Sequence, residues 1–192
     1  MDWSERAYAD PQAYLAHRAS LVVTLGPRLA PGDTVLDLAC GDGALADFLP
    51  EGIRYRGVDA SEAMVAEGIR RGRAVELGDL NDYEPPEPVA ATACFRAIYY
   101  TRDRRDFFRQ AAGYTTKKLV FDLNPRQYRV ADVQADLQAA GWRQLELRPF
   151  LSPQTRALPA PLAALLRRLE GSGPLARALL RVRFTYLCAA AR

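Results

Sequence analysis

Three aspartates in the first half of the chain each close a short apolar run and open a turn. They are Asp37 in "VLDLACGDG", Asp59 in "YRGVDAS" and Asp79 in "ELGDLND", spaced 22 and 20 residues apart. A Gly-rich bend, Gly41 and Gly43, follows the first of them. Gly41-x-Gly43-x-x-Ala46 with Asp59 eighteen residues on satisfies a dinucleotide fingerprint. A pyrophosphate, however, is held by backbone N–H groups at a helix N-terminus, and a nearby carboxylate opposes it. Asp37 would suit a ligand carrying an ammonium and a sulfonium instead. Asp59 could accept two hydrogen bonds from vicinal ribose hydroxyls. Asp79 could accept the exocyclic amine of an adenine, with the Leu80 backbone beside the ring. Asp42 is less telling, because an acid at the start of a helix simply answers the macrodipole.

The elements that must position these residues alternate. "TVLDLA", "IRYRGVDA", "AVELGDL", "VAATACF" and "KLVFDLN" read as five strands bounded by turn signals, followed by "WRQLELRPF" and "RVRFTYLCAAAR" as a sixth and seventh. Helical patterns lie between them. "SEAMVAEGIRRG" has Ser61 as N-cap and Gly72 as stop, and in "RVADVQADLQAAG" Val130, Val133, Leu137 and Ala140 share one face. Ala44 to Leu49 reads as a short helix ended by Pro50, and "YEPPEP" is a loop. Seven strands alternating with helices predict an α/β sandwich around a mostly parallel sheet. One domain over residues 1–192 is expected, with an N-terminal helical lid (1–30) and a helical insertion before the last strand (151–181).

Composition narrows the function classes. Apolar residues make up 49% of 192, enough for a sizeable core. The net charge of +3 is uneven: seven Arg and one Glu lie between Leu151 and Arg192. Three scattered cysteines and a single histidine argue against a zinc site or a disulfide framework. The charged start is no signal peptide, no apolar run is long enough to span a membrane, and a soluble cytoplasmic protein is expected. Arginines without a lysine cluster or an aromatic platform make nucleic acid the weaker partner. Cys40 reads as a small buried packer and His17 as a surface or helix-packing residue.

Together, "VLDLACGDG", "GVDAS" and "GDLND" resemble the S-adenosylmethionine site of the class I, Rossmann-like methyltransferases, and the resemblance implies their α/β three-layer sandwich with a seven-stranded, mostly parallel sheet whose last strand is antiparallel. The resemblance implies that Asp37, Ala39, Cys40, Gly41 and Gly43 form the methionine-end pocket. It implies that Asp59 and Ala60 hold the ribose, Asp79 and Leu80 the adenine, and that Cys94, Phe95 and Arg96 run beside the methionine. Lid residues such as Tyr8, Tyr14 and Arg18 would close over that end. Ala39 stands where many members have glycine, and the helix before the fourth strand is reduced to the Pro-rich loop.

The implied activity is methyl transfer to an O, N or C atom of a small-molecule acceptor, by in-line displacement. Positioning and desolvation supply much of such a rate, so the sequence need not advertise a base. Candidates lie after the fourth strand (Tyr99, Tyr100) and after the fifth (Asp122, Asn124, Arg126, Tyr128). Two alternatives stay open: an NAD(P)-dependent oxidoreductase and a non-catalytic S-adenosylmethionine-binding protein. The Leu- and Arg-rich stretch 151–181 could cover a substrate, rest on a membrane surface or form a dimer contact.

Overall fold

The computed structural model describes residues 9–153, 156–181 and 185–192, so Tyr8 lies outside the described residues. Helix α1 (Pro11–Thr24) starts where Asp10 caps it, Oδ1 accepting the Ala13 N–H at 2.9 Å. Proline stands at the first helical position, where its missing N–H leaves no helical bond unmade. Strand β1 (Thr34–Leu38), a 3₁₀ turn (Ala44–Phe48), β2 (Arg54–Asp59), α2 (Glu62–Arg70) and β3 (Val75–Leu77) complete the first half. β4 (Val89–Cys94), a 3₁₀ turn (Ile98–Tyr100), α3 (Arg104–Tyr114), β5 (Thr115–Leu123), α4 (Val130–Ala139) and β6 (Gln144–Pro149) follow. The excursion then carries α5 (Ala160–Glu170) and α6 (Gly173–Arg181) before β7 (Tyr186–Ala191).

Most boundaries follow from the residues. Asp103 caps α3 by accepting the Arg105 and Asp106 N–H groups, and Ser61 caps α2. Two elements are smaller than the sequence suggests. The third strand stops at Leu77, because the Gly78 N–H bonds Asp59 O and the chain then turns through Asp79, whose carbonyl takes the Asp82 and Tyr83 N–H groups. The segment after the glycine bend closes as 3₁₀, with i→i+3 bonds such as Ala46 N–H to Gly43 O.

The sheet order is β3-β2-β1-β4-β5-β7-β6. β7 runs antiparallel to both β5 and β6, and the other pairings are parallel. Period-2 alternation sorts side chains onto two faces. Leu119, Phe121 and Leu123 of β5 join Phe108, Val133, Leu137 and Trp142 on one face. Val120 joins Leu15, Val22, Leu25 and Phe150 on the other, under α1. Buried Lys118 reaches across to the end of α1, its Nζ donating to Val23 O at 3.1 Å and Leu25 O at 2.7 Å. The order reverses between β1 and β4. The crevice at the carboxyl ends of those two strands is therefore where an open sheet receives a ligand.

The excursion is tied back to α1. Glu170, the last residue of α5, is buried; its Oε2 meets His17 Nε2 at 2.6 Å and its Oε1 accepts the Leu151 N–H at 2.6 Å. His17 also stacks on Phe150, ring centroids 5.1 Å apart.

Candidate functional site

Asp37 lies on the face of β1 that also carries Val35, the side covered by α1. It is buried, and across the ladder its partner is Gly57. A Cβ at Gly57 would sit 2.7 Å from Cys40 Sγ and 2.9 Å from the Tyr55 hydroxyl. The missing side chain leaves room for Tyr55 to donate to Asp37 Oδ2 at 3.0 Å. Burial pushes the Asp37 carboxyl up to about 7, against the lowering effects of the Tyr55 bond and the Arg18 charge; the Asp59 charge adds to the rise.

The chain leaves β1 through left-handed residues: Ala39 at φ 57°, Gly41 at 62° and Gly43 at 72°. For Ala39 this backbone is costly, a strained substitute for glycine at the ligand-facing bend. Asp59 braces the bend from the end of β2. Its Oδ2 accepts the Gly41 N–H at 2.7 Å, and its Oδ1 accepts the Ser61 N–H at 2.9 Å. Asp42 points elsewhere. Its Oδ2 pairs with Arg73 Nη1 at 2.8 Å and its carbonyl accepts from the same guanidinium, so this acid holds the bend to the chain before β3.

A cavity of about 290 Å³ opens over this bend. Asp37, Ala39, Cys40, Gly41 and Asp59 form its floor on the β1–β2 side, and Phe95, Arg96, Tyr99 and Tyr100 face them from after β4. Arg18 descends from α1 between them. It is buried, with its guanidinium 4.4 Å from the Phe95 ring centroid and 4.8 Å from that of Tyr14. Nη2 donates to the Tyr14 hydroxyl at 2.7 Å, while Nε has no hydrogen-bond partner among the described residues. An orphaned charge-bearing donor beside a cavity is a strong attraction for an anionic group. Burial raises the Cys40 thiol well above its ordinary range, which fits packing and not nucleophilic chemistry.

A second cavity of about 520 Å³ adjoins the first, sharing Arg96 and Tyr99. Asp122, Asn124, Arg126 and Gln127 line it from the end of β5, Tyr14 from α1, and Phe150, Ser152 and Thr185 from the roots of the excursion. Arg96 is itself left-handed, φ 54°, and its N–H bonds Asp122 Oδ1 at 2.6 Å. Two strained non-glycine residues, one after β1 and one after β4, thus flank the point where the strand order reverses.

Several residues singled out from the sequence line neither cavity. Gly43 packs its backbone where a Cβ would sit 2.6 Å from Val75 Cγ2. Cys94 and Leu80 are buried in the core, and Ala60 is exposed just beyond β2. Asp79 bonds the Asn81 N–H and side-chain amide, which hold its carboxyl below the usual range. The Tyr128 ring lies under Arg104, 5.1 Å from the guanidinium carbon. Conversely, Tyr55, Met64 and Leu45 belong to the site or its walls without having been singled out. Tyr55 carried one signal, being two residues from Gly57 on the same face of a strand. Among the described residues no cluster of His, Cys, Asp and Glu could hold a metal ion.

Comparison with known proteins agrees with this geometry. Residues 21–84 match the family model of the methionine biosynthesis protein MetW. An N,N-dimethyltransferase of dTDP-4-amino-2,3,4,6-tetradeoxy-D-glucose from Saccharopolyspora spinosa is 35% identical over 91 residues, covering 45% of this chain and 36% of that enzyme. The match thus spans little more than a third of that curated relative. Among solved structures, a chain of the complex between the Haloferax volcanii Trm112 methyltransferase activator and a methyltransferase superposes with a TM-score of 0.66 at 18% identity, over 95% of this chain and 91% of the other. An S-adenosylmethionine-dependent methyltransferase from Clostridium acetobutylicum gives 0.65 at 12% identity, over 94% and 91%. The chain thus has the fold of Rossmann-like methyltransferases, and the third of it that builds the β1–β2 bend matches the MetW family model.

Proposed function

We propose that this chain is a cytoplasmic S-adenosylmethionine-dependent methyltransferase acting on a small-molecule acceptor. The observation that carries the reading is the pairing in one cavity of a buried carboxylate with a buried, partly unsatisfied guanidinium. Asp37 and Arg18 offer complementary charges to a zwitterionic amino-acid end. A dinucleotide is not favoured, because its pyrophosphate would meet Asp37 and Asp59 at that bend.

The residues fit the cofactor. Arg18 takes its carboxylate and Asp37 its ammonium. Asp59 spends one lone pair of each oxygen on Gly41 and Ser61, and keeps the others for ribose hydroxyls. Asp79 and Leu80 keep the adenine role by family resemblance. When bound, the cofactor supplies a methyl group activated on a sulfonium. The acceptor occupies the second cavity, so Arg96 and Tyr99, which belong to both, form the threshold between the two. Tyr14, Phe95 and Phe150 exclude water around that threshold. Catalysis then rests on alignment and desolvation. For an acceptor arriving as an ammonium, Asp122 is the carboxylate in reach of its proton. The dTDP-aminosugar enzyme that matches in part acts on an amine, which is consistent with an N acceptor.

Titration calorimetry with S-adenosylmethionine and its demethylated product tests the reading. Micromolar to submillimolar binding is expected, and no binding at millimolar ligand overturns it.

A further inference from the structure

We propose that the outer face of α5 is a docking surface for an anionic lipid bilayer. The helix is two-sided. Ala163, Leu166 and Glu170 face inward, while Leu162, Leu165 and Leu169 are 41%, 53% and 40% exposed. Their spacing of three and four residues puts them in one stripe. Arg168 lies beside the stripe, and Arg156, Arg167 and Arg177 are exposed on the same excursion.

The charge around the stripe has one sign. Glu170 is the sole acid between Leu151 and Arg192, and it is 2% exposed, enclosed by His17 and the Leu151 N–H. On other faces several arginines are matched, Arg70 and Arg71 with Glu67, Arg102 with Asp82 and Arg109 with Asp106, while exposed Arg28, Arg126, Arg129 and Arg143 are scattered singly and not gathered on one excursion. Among the described residues none of the four excursion arginines has an acidic partner. An apolar stripe flanked by uncompensated arginines is the pattern of a helix lying in a membrane interface, leucines in the acyl boundary and guanidinium groups at anionic headgroups. A second copy of the chain fits worse, because facing stripes would bring like charges together. No helix among the described residues is long and apolar enough to cross a membrane, so the contact is a surface one.

The excursion is rooted at the second cavity through Ser152 and Thr185. Docking would therefore hold that mouth at the lipid surface. This inference stands apart from the methyl-transfer reading, because lipid binding is measured without cofactor or acceptor.

The test is co-sedimentation of the full chain with vesicles of phosphatidylcholine alone or mixed with phosphatidylglycerol, at low and high salt. Wild type is expected to pellet with the mixed vesicles, to do so less in high salt, and to stay in solution with phosphatidylcholine alone. Leu165→Glu/Leu169→Glu should lower partitioning by roughly tenfold or more. Arg167→Glu/Arg168→Glu should abolish the preference for phosphatidylglycerol. Unchanged melting curves of both variants establish that they fold. Failure of the wild type to pellet with the mixed vesicles overturns the proposal, as does equal pelleting of the leucine variant. A concentration-dependent dimer in light scattering that the leucine variant dissolves also overturns it, assigning the stripe to a second copy.

Discussion

The Tyr55 hydroxyl reaches Asp37 Oδ2 at 3.0 Å through the space that Gly57 leaves open. This one bond lets a carboxylate sit inside the molecule, poised near neutrality by burial. A cationic ligand group beside Asp37 favours its charged form. Affinity for the demethylated cofactor, which keeps its ammonium, should therefore rise from about pH 6 to about pH 8 as Asp37 loses its proton. Near pH 7 binding should also release a proton. Calorimetry in buffers of different ionisation enthalpy reads both effects, and a flat profile without proton release would contradict them.

The same residue costs stability. A carboxyl whose folded value is raised holds its proton in the folded state where the unfolded chain has lost it. Stability therefore falls as pH climbs from about 4 through about 7, and the full cost is present above that. Asp37→Asn should stabilise the ligand-free protein at pH 8 by up to about 4 kcal/mol and change little near pH 4. It should weaken cofactor binding at the same time. Urea unfolding at the two pH values, beside calorimetry, separates these effects.

Gly57→Ala should damage the site without touching a ligand. The new Cβ collides with Cys40 Sγ and the Tyr55 hydroxyl, so the phenol must move off Asp37. A stability loss of about 1–3 kcal/mol is expected, together with weaker cofactor binding. Adding Cys40→Ala should recover part of both.

Arg18→Met keeps the apolar stem between Tyr14 and Phe95 and removes the charge. Folding should be little changed, while cofactor affinity should drop by about 1.5–3 kcal/mol, the range for a hydrogen bond to a charged group. Retained affinity would show that the guanidinium serves packing alone.

Glu170→Ala strips His17 and the Leu151 N–H of their acceptor. A loss of about 1–3 kcal/mol is expected. Limited proteolysis should shift to the excursion, with cleavage between residues 151 and 185 far ahead of the sheet.

Much of this site can be read from residue order alone because its strands are local and successive. Asp37 and Asp59 each end a strand, and parallel neighbours bring such ends together. Residues held by distant partners escaped that reading. Nothing near Asp42 announces Arg73, thirty-one residues on, and nothing near His17 announces Glu170, 153 residues away. The seven strands are recognisable from their apolar patterns, but not the insertion of β7 between β5 and β6, which depends on pairing across the whole excursion. Tyr128 and Asn124 share one short turn, yet the Arg104 guanidinium covers the first and only the second reaches a cavity. A choice of that kind is made by tertiary packing.

The position of β7 has a consequence for how the molecule comes together. Among the described residues β6 pairs only with β7, which follows it in chain order after the excursion and has all six of its residues buried. While the chain is being made, β5 presents an open apolar edge and β6 has no ladder to join. Neither is covered until the excursion has been synthesised and β7 has followed it. The β5–β7–β6 edge of the sheet therefore has to close after the rest, and until it does a chaperone able to cover the β5 edge would find its binding site there.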